Sequence, residues 1–561
     1  MESMRLPSKY LALVCALSGV VTCFPISSQT TPPPAAEPAG RVVLVLPFTN
    51  RSGDPTLNWV GDSFPDTLNK RLDSAGFLTI SRDDRAFAYN HLGLPEDFRP
   101  SRATTIRIAQ QLDANFVIIG SYSIQPLPSS PSATDTAATP HAAASSRISI
   151  QAQVLSINRL QLTSPVEDSA ELSRLFDAEN ATAWKVARLL DPQFNVAEPT
   201  FLAAPGAVPL PAFEDYIRGT NTQNPAERLK RLQSAVALVP DYPAAILALG
   251  KEQYAQRLYP AAAVTLAKLP HSDRLALEAN FYLGLSLFNS ANYAGAAQAF
   301  AFVATNLPLP EILNNQAVAL SRQGKDAVAL YQRASVADPS DEDYHYNLAI
   351  AYFRRGDTAN ALAEASKALA LKPNDAEALT LKKQLSTIAP GTRLTTNGES
   401  TFTPVERVRR NYSETSFRQA AFQLDQLRAA RLASLPADQR ATQYTQLGHD
   451  YLAQGLLPEA EAQFQSAINS DPNSAEAHAG LAEIRDFSGD TTQARIEANA
   501  SIKLHPNAAA WMVLARLDLA ATQYLNCAED VAHAQQLDPA NTSARAMRNL
   551  LVQRGQWVPN P

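Results

Sequence analysis

The apolar positions of this chain keep three periods in succession, and each predicts a different kind of element. Leu11 to Val21 is an apolar run behind Arg5 and Lys9. Val42 to Leu46 is a continuous aliphatic run closed by Pro47, as in a strand buried on both faces. Phe64, Leu68 and Leu72 then recur at helical spacing within Gly61 to Ala75, as do Ile106, Ala109 and Leu112 within Arg102 to Leu112. Leu78 to Ile80 and Phe116 to Tyr122 read as strands, and Ile148, Ile150, Ala152 and Val154 alternate with polar residues as a half-buried strand does. A helix from Asn180 to Leu190, with Trp184, Ala187 and Leu190 on one face, closes a mixed α/β unit over residues 41–195. From about residue 212 onward the period is helical throughout.

Within that helical half one pattern is clearest between Ala441 and Pro472: Tyr444, Leu447-Gly448 and Tyr451, then Gly455, then Ala460, Phe464, Ala467 and Pro472. Small residues at Gly448 and Ala460 let two helices approach, and Leu447, Tyr451 and Phe464 fill the space between turns. A larger residue at Ala460 is expected to cost about 1–3 kcal/mol by overpacking. The pattern recurs upstream of Pro373 (Leu348, Ala349, Tyr352, Gly356, Ala361, Ala368) and of Pro506 (Leu481, Ala482, Gly489, Ala494). Weaker copies surround Gly250, Gly284, Tyr331 and Trp511. This spacing resembles the tetratricopeptide repeat, a helix-turn-helix of about 34 residues, with Tyr444 where that family most often has Trp.

The expected fold is therefore multidomain: a mixed α/β amino-terminal domain followed by an all-α tetratricopeptide-repeat solenoid in two blocks. The first block spans 212–389 and the second 436–541, with a capping helix at 542–556 covering the last apolar edge. Residues 196–211 and 390–404 read as linkers. Residues 405–435 read as a connecting helix with Phe417, Ala420, Leu424 and Leu427 on one stripe, and Arg407, Arg409 and Arg410 as its solvated start.

Composition narrows the function. Charged residues make up 18% and the formal net charge is -6, so no basic surface for nucleic acid is expected. Of three cysteines, Cys15 and Cys23 lie near the amino terminus and Cys527 stands alone as a small apolar helix residue, so no disulfide framework is expected. Asn50-Arg51-Ser52-Gly53-Asp54 follows a strand but lacks a phosphate-loop pattern and reads as a turn. The acidic pairs Asp83-Asp84 and Asp177 with Glu179 sit at expected helix starts, where carboxylates favour the helix dipole. No catalytic residue, metal site or cofactor is expected.

Residues 1–29 read as an export leader, with 30–40 as a Pro-rich spacer. Val20-Val21-Thr22-Cys23 resembles a bacterial lipobox, with Thr22 in place of the usual small residue, which makes Cys23 a candidate lipidation site. Cleavage, lipidation and retention stay open, and the last two would attach the amino terminus to a membrane. Leu46-Pro47-Phe48, Asn50, Ser52-Gly53-Asp54, the Trp59 to Leu72 helix, Ile80-Ser81-Arg82, Ala109 to Asp113 and Ile119-Gly120-Ser121 resemble the TolB amino-terminal-like domain of bacterial envelope proteins. That resemblance implies a non-catalytic domain. It is interrupted at 125–146, a low-complexity stretch that reads as a disordered loop.

The repeat resemblance implies that the first helix of each unit lines a concave groove for protein segments. By it, Asp343, Tyr346, Ile350, Phe353 and Arg354 face the groove, as do Thr442, Thr445, His449, Leu452 and Ala453 in one later unit and Glu476, Ala479, Glu483, Asp486 and Phe487 in the next. Only Asn347 and Arg354 fit the family's carboxylate-gripping set, so a segment with apolar anchors, and basic residues opposite Glu476 and Glu483, is the expected partner. The expected function is a non-enzymatic protein-binding scaffold of the bacterial cell envelope, facing the periplasm. Alternatives are a ligand or nucleotide sensor, or an enzyme, built on the α/β domain, and an accessory subunit for surface-polymer export. On this reading, removing Tyr346 and Phe353 abolishes partner capture without unfolding the chain, which recovery of partners on the variant checks.

Overall fold

The computed structural model describes residues 41–95, 98–126, 146–203, 208–273, 275–387, 404–411 and 427–559. The expected leader, the spacer, Cys23 and most of the 125–146 and 390–404 stretches lie outside these.

The aliphatic run near residue 42 becomes β1 (Val42–Val45), a strand covered on both sides. Its side chains alternate between two cores: Val43 and Val45 join Phe48, Phe64 and Leu68, whereas Leu44 joins Leu46, Ile80 and Ile108. β1 pairs in parallel with β3 (Leu78–Thr79) and β4 (Phe116–Pro126), and β2 (Thr49–Asn50) extends the parallel contact to β4. β4 then pairs antiparallel with β5 (Ser146–Ser156), which in turn carries β6 (Gln161–Leu162) and β7 (Val166–Glu171). The sheet is mixed, as the alternating periods predicted. α1 (Asn58–Ser74) and α4 (Leu175–Leu190) supply Phe64, Leu68, Leu175 and Val186 to the first core, and α2 (Arg82–His91) and α3 (Arg102–Gln111) supply Ala88 and Ile108 to the second.

Glu179 departs from the expected helix-start role. It is fully buried between α4 and α1, bonded to Ser63 and, at 2.6 Å, to Thr67. Burial outweighs those bonds and pushes its carboxyl up to about 8. The Ser63 hydroxyl also lies 2.8 Å from the Val60 carbonyl, so its single proton is shared between that carbonyl and the Glu179 carboxyl. Asp83 and Asp84 do occupy the first turn of α2, behind the Ser81 cap.

After the short α5 (Glu198–Leu202) the chain winds into helical hairpins. Five pairs form the first block: α6 (Leu210–Asn221) with α7 (Pro225–Leu238), α8 (Pro243–Ala255) with α9 (Tyr259–Leu266), α10 (Ala276–Asn289) with α11 (Tyr293–Asn306), α12 (Pro310–Ser321) with α13 (Val328–Ala337), and α14 (Glu342–Arg355) with α15 (Thr358–Leu371). α16 (Ala376–Thr387) follows. In the second block, α17 (Ala437–Ala453) pairs with α18 (Leu457–Ser470), α19 (Ala475–Phe487) with α20 (Thr491–Leu504), and α21 (Ala508–Ala520) with α22 (Tyr524–Leu537). α23 (Thr542–Gln553) covers the end with Ala544 and Leu551 buried.

Four hairpins, α6/α7, α8/α9, α10/α11 and α17/α18, close where a glycine on the first helix faces a large side chain on the second, and α12 and α14 have the fully buried Ala317 and Ala349 at that place. A Cβ on Gly448 would come within 2.7 Å of the Phe464 ring, and one on Gly480 in the next helix within 2.3 Å of the same ring. The turn between helices needs a left-handed residue, supplied by Gly324, Gly356, Gly455 and Gly489 but also by Arg257, Ala291 and Thr522.

The second block is tied back to the α/β domain through the segment containing α5, which is not the free linker its Pro and Ala content suggested. Phe201 is buried beneath the Arg71 guanidinium, 4.2 Å from its ring centre. On the other side Asn195 donates to Gln465 at 2.7 Å and the Ala197 amide to the buried Glu461 at 2.9 Å, and Glu461 is paired with Arg485 at 2.8 Å. α6 leans on α1, where Tyr216 donates to Asp66 at 2.6 Å.

Three outcomes follow from these contacts. Gly480→Ala is expected to lower stability by about 1–3 kcal/mol, read by thermal unfolding, because the Phe464 ring has no room to retreat. Thr522→Gly is expected to raise stability by about 1 kcal/mol, because a β-branched residue is strained at the φ of 59° found there. Because the folded Glu179 carboxyl titrates near 8 instead of its usual 4.5, it opposes folding increasingly as pH rises between those values. Glu179→Gln should therefore gain stability relative to the parent as pH rises from 5 to 8, and a pH-independent difference in melting temperature would contradict this.

Candidate peptide-binding groove

Residues 404–411, expected to open a helix, are extended and lie across the first helices of the last hairpins of block one. The reason is a better set of partners than a helix offers them. The Asn347 side-chain amide donates to the Arg407 carbonyl at 2.8 Å while its oxygen accepts from the Arg407 amide at 2.8 Å. Asn315 does the same for Arg409, donating at 2.7 Å and accepting at 2.8 Å. Asn314 adds a bond to the Arg407 carbonyl at 3.0 Å and accepts one from Asn347 at 2.8 Å. Two alternate residues of the segment thus have both backbone groups satisfied by side-chain amides, the pattern of a strand held without a sheet. Asn315 and Asn347 occupy equivalent places in successive first helices, each nine residues before the left-handed glycine that follows its helix, Gly324 and Gly356.

The side chains of the segment alternate with the same regularity. Glu406 points down between Arg322 and Arg354, and accepts from Ser321 at 2.6 Å. Arg407 lies against the Tyr346 ring, 4.0 Å from its centre, and its fork is shared by Asp343, Asp375 and Glu377 at 2.6–2.7 Å. Val408 packs on two cores of the hairpins beneath, one with Phe281, Leu285 and Ile312 and one with Ala317, Val318 and Leu348. Arg409 pairs with Asp341 and, at 3.2 Å, with Asp343. Asp341 and Asp375 also hold the amides at the starts of α14 and α16, at 2.9 Å for Asp343 and 3.1 Å for Ala378, so the acidic lane is built from helix caps. The Arg407 bond holds the Asp375 carboxyl down at about 2, against burial, which pulls the other way.

Several expected groove residues stand differently. Asp343 and Arg354 contact the segment, and Tyr346 lies under it. Ile350 and Phe353 are fully buried in the core shared by α14, α15 and α16, so they face neighbouring helices and not an open groove. Removing Phe353 is expected to damage the fold itself, with a loss of about 3–5 kcal/mol, which corrects the expectation that it is dispensable for folding. The connecting helix is corrected at its start: helix is present at 427–433, but 404–411 is not helical and Arg407 and Arg409 are not solvated charges.

In the second block Thr445 is buried and bonds back to the Ala441 carbonyl at 2.9 Å, and the exposed His449 rests edge-on against Phe464. Thr442 lines a cavity of about 410 Å³ with Arg431, Leu435 and Leu447. Leu452 and Glu483 are half-buried and Glu476 is exposed, whereas Ala479 is buried and Ala453 exposed. Asp486 is paired with Arg516 at 2.6 Å, beside the largely exposed Phe487 ring. Where the first block has Asn315 and Asn347, this block has Gln446 and Gly480, so no comparable pair of asparagines stands there among the described residues. Sequence reasoning passed over Asn314 and Asn315. The recurrence of Asn315 and Asn347 at one repeat position was the available signal.

Family models for the tetratricopeptide repeat match residues 314–376 and 451–517, which include the clamp residues Asn314, Asn315 and Asn347 and, in the second block, α18 to α20. The chain carries tetratricopeptide repeats. No curated protein matches it. Among solved structures it is similar to YrrB, described as a tetratricopeptide protein with an unusual peptide-binding site, at 18% identity and a TM-score of 0.27 over 36% of this chain and 99% of that one. It is also similar to a thermophilic tetratricopeptide protein of Thermus thermophilus, TTC0263, at 16% identity and a TM-score of 0.25 over 32% and 100%. The carboxy-terminal domain of LpoB from Salmonella enterica gives 17% identity and a TM-score of 0.17 over 24% and 84%.

The ion pair between Asp375 and Arg407 sets a pH signature. Because the folded carboxyl titrates near 2 instead of 3.8, its contribution is present above the higher value and is lost as pH falls through the lower. The drop in melting temperature caused by Arg407→Ala should therefore shrink between pH 4 and pH 2, and a constant drop would show that Asp375 does not carry the pairing.

Proposed function

We propose that this protein is a non-enzymatic interaction scaffold of the bacterial cell envelope, and that the inner groove of its first repeat block takes up extended segments of protein partners. The observation that carries the reading is the paired amide clamp, in which Asn315 and Asn347 each satisfy both backbone groups of one residue in an extended segment. Such a clamp recognises peptide as peptide, and the charged groups beside it choose among sequences. The groups lining the groove are amides, guanidinium-carboxylate pairs and an aromatic face, which hold a chain in place.

The envelope assignment is supported by the apolar leader behind Arg5 and Lys9, with Cys23 as the candidate lipidation site, and by the likeness of the α/β domain's motifs to the TolB amino-terminal-like domain. On this reading the α/β domain is a second, non-catalytic binding surface, and the partners are proteins.

The test is recovery of the tagged full-length chain from cells fractionated into cytoplasm, periplasm and membrane, with Asn315→Ala/Asn347→Ala alongside. The expected result is an envelope protein with a defined partner, from which a peptide can be mapped that competes for the groove. The double variant should stay helical by circular dichroism and lose at least about tenfold in affinity for that peptide, as for two residues whose paired hydrogen bonds are removed. Undiminished binding by the folded variant would sink the groove reading, and a cytoplasmic protein would sink the envelope assignment.

A further inference from the structure

We infer that residues 404–411 are a resident occupant of the groove that partners must displace, and that the partner segment carries the same order of chemistry: acidic, arginine, aliphatic, arginine. This rests on the groove reading above and adds who competes for it and what it selects.

Charge order is the first argument. The groove offers a cationic pocket at Arg322 and Arg354, then an acidic lane at Asp343, Asp375 and Asp341, and the segment meets these with Glu406, Arg407 and Arg409 in turn. A segment with those charges reversed would place carboxylates against carboxylates along the lane, so the groove rejects it as well as attracting the matching one. The second argument is that the hold on the segment is shallow in apolar terms. Val408 packs inward and Pro404 is buried at one end, but Val405 is 54% exposed. The core of α14, α15 and α16, with Ile350 and Phe353, is built without any residue of the segment. The segment can therefore leave without opening a hairpin, and what it gives up is hydrogen bonds and ion pairs that an incoming segment of the same pattern restores.

The third argument is connectivity. Pro404 follows Thr387, the end of α16, by 17 residues in the same chain. A covalently joined competitor acts at an effective concentration of order mM, so it weakens any outside segment of similar intrinsic affinity by the ratio of that concentration to its own dissociation constant. The groove is thereby tuned to partners that bind more tightly than the resident, or that present more than one contact.

The experiment uses the full-length chain and a labelled eight-residue peptide with the sequence of residues 404–411, read by fluorescence anisotropy. Arg407→Ala/Arg409→Ala, which loosens the resident without touching the groove, should bind the peptide at least about tenfold more tightly than the unaltered chain. A peptide with Glu406 replaced by Arg and both Arg407 and Arg409 by Glu should not bind. Equal affinity in the two proteins would overturn the resident-competitor inference while leaving the groove reading standing, and no binding to the folded double variant would overturn both. Should the variant fail to fold, the unaltered chain decides by hydrogen exchange. Saturating peptide should deprotect the Arg407 and Arg409 amides, and unchanged protection would overturn the inference. A concentration-dependent dimer that the peptide dissociates would assign the occupant to a second copy and likewise overturn it.

Discussion

The close approach of two helices at a small residue is the constraint on which the rest depends. Phe464 fills the space that Gly448 and Gly480 leave open, and its counterpart Phe300 lies against Gly284. In α12 and α14 the fully buried Ala317 and Ala349 stand at the same place, each seven residues before a left-handed glycine, so successive first helices keep the same register. That register places Asn315 and Asn347 so that each grips one of two alternate residues of the segment, while Asn314 bonds Asn347 and shares the Arg407 carbonyl with it. The clamp is a product of packing that occurs on the opposite side of the helices.

Two kinds of recognition are layered on this register. The asparagines bind backbone and so fix direction and extension. The helix caps Asp341 and Asp375, already needed to satisfy orphan amides at the starts of α14 and α16, supply the negative charge that sorts side chains. One carboxylate thus serves folding and selection together. The arrangement explains why Arg407 is held so firmly although its guanidinium remains partly open to solvent.

The architecture was legible in the sequence where it is local. Repeats at about 34 residues, the β1 run and the alternation in β5 each announce an element through its own period. β7 was not legible, since Val166–Glu171 shows water a polar face and buries little. The extended segment was hidden for a different reason. One valine among charged residues reads as a solvated helix start, and its true partners lie some 30 to 94 residues away in the chain. Tyr346 and Asn347 were in view because a repeat numbering points to them, but that numbering does not say which positions are spent on neighbouring helices, as Ile350 and Phe353 are.

A helical-repeat array is ordinarily an open spring, anchored at one end and free to stretch. Here α6 leans on α1, and the start of the second block is clipped to the α5 segment through Glu461 and Asn195. The hairpins between are therefore closed into a mechanical loop. A pull on the second block would be borne first by the α5 contacts and the Glu461 pair with Arg485, and the clamp would keep its register until those gave way.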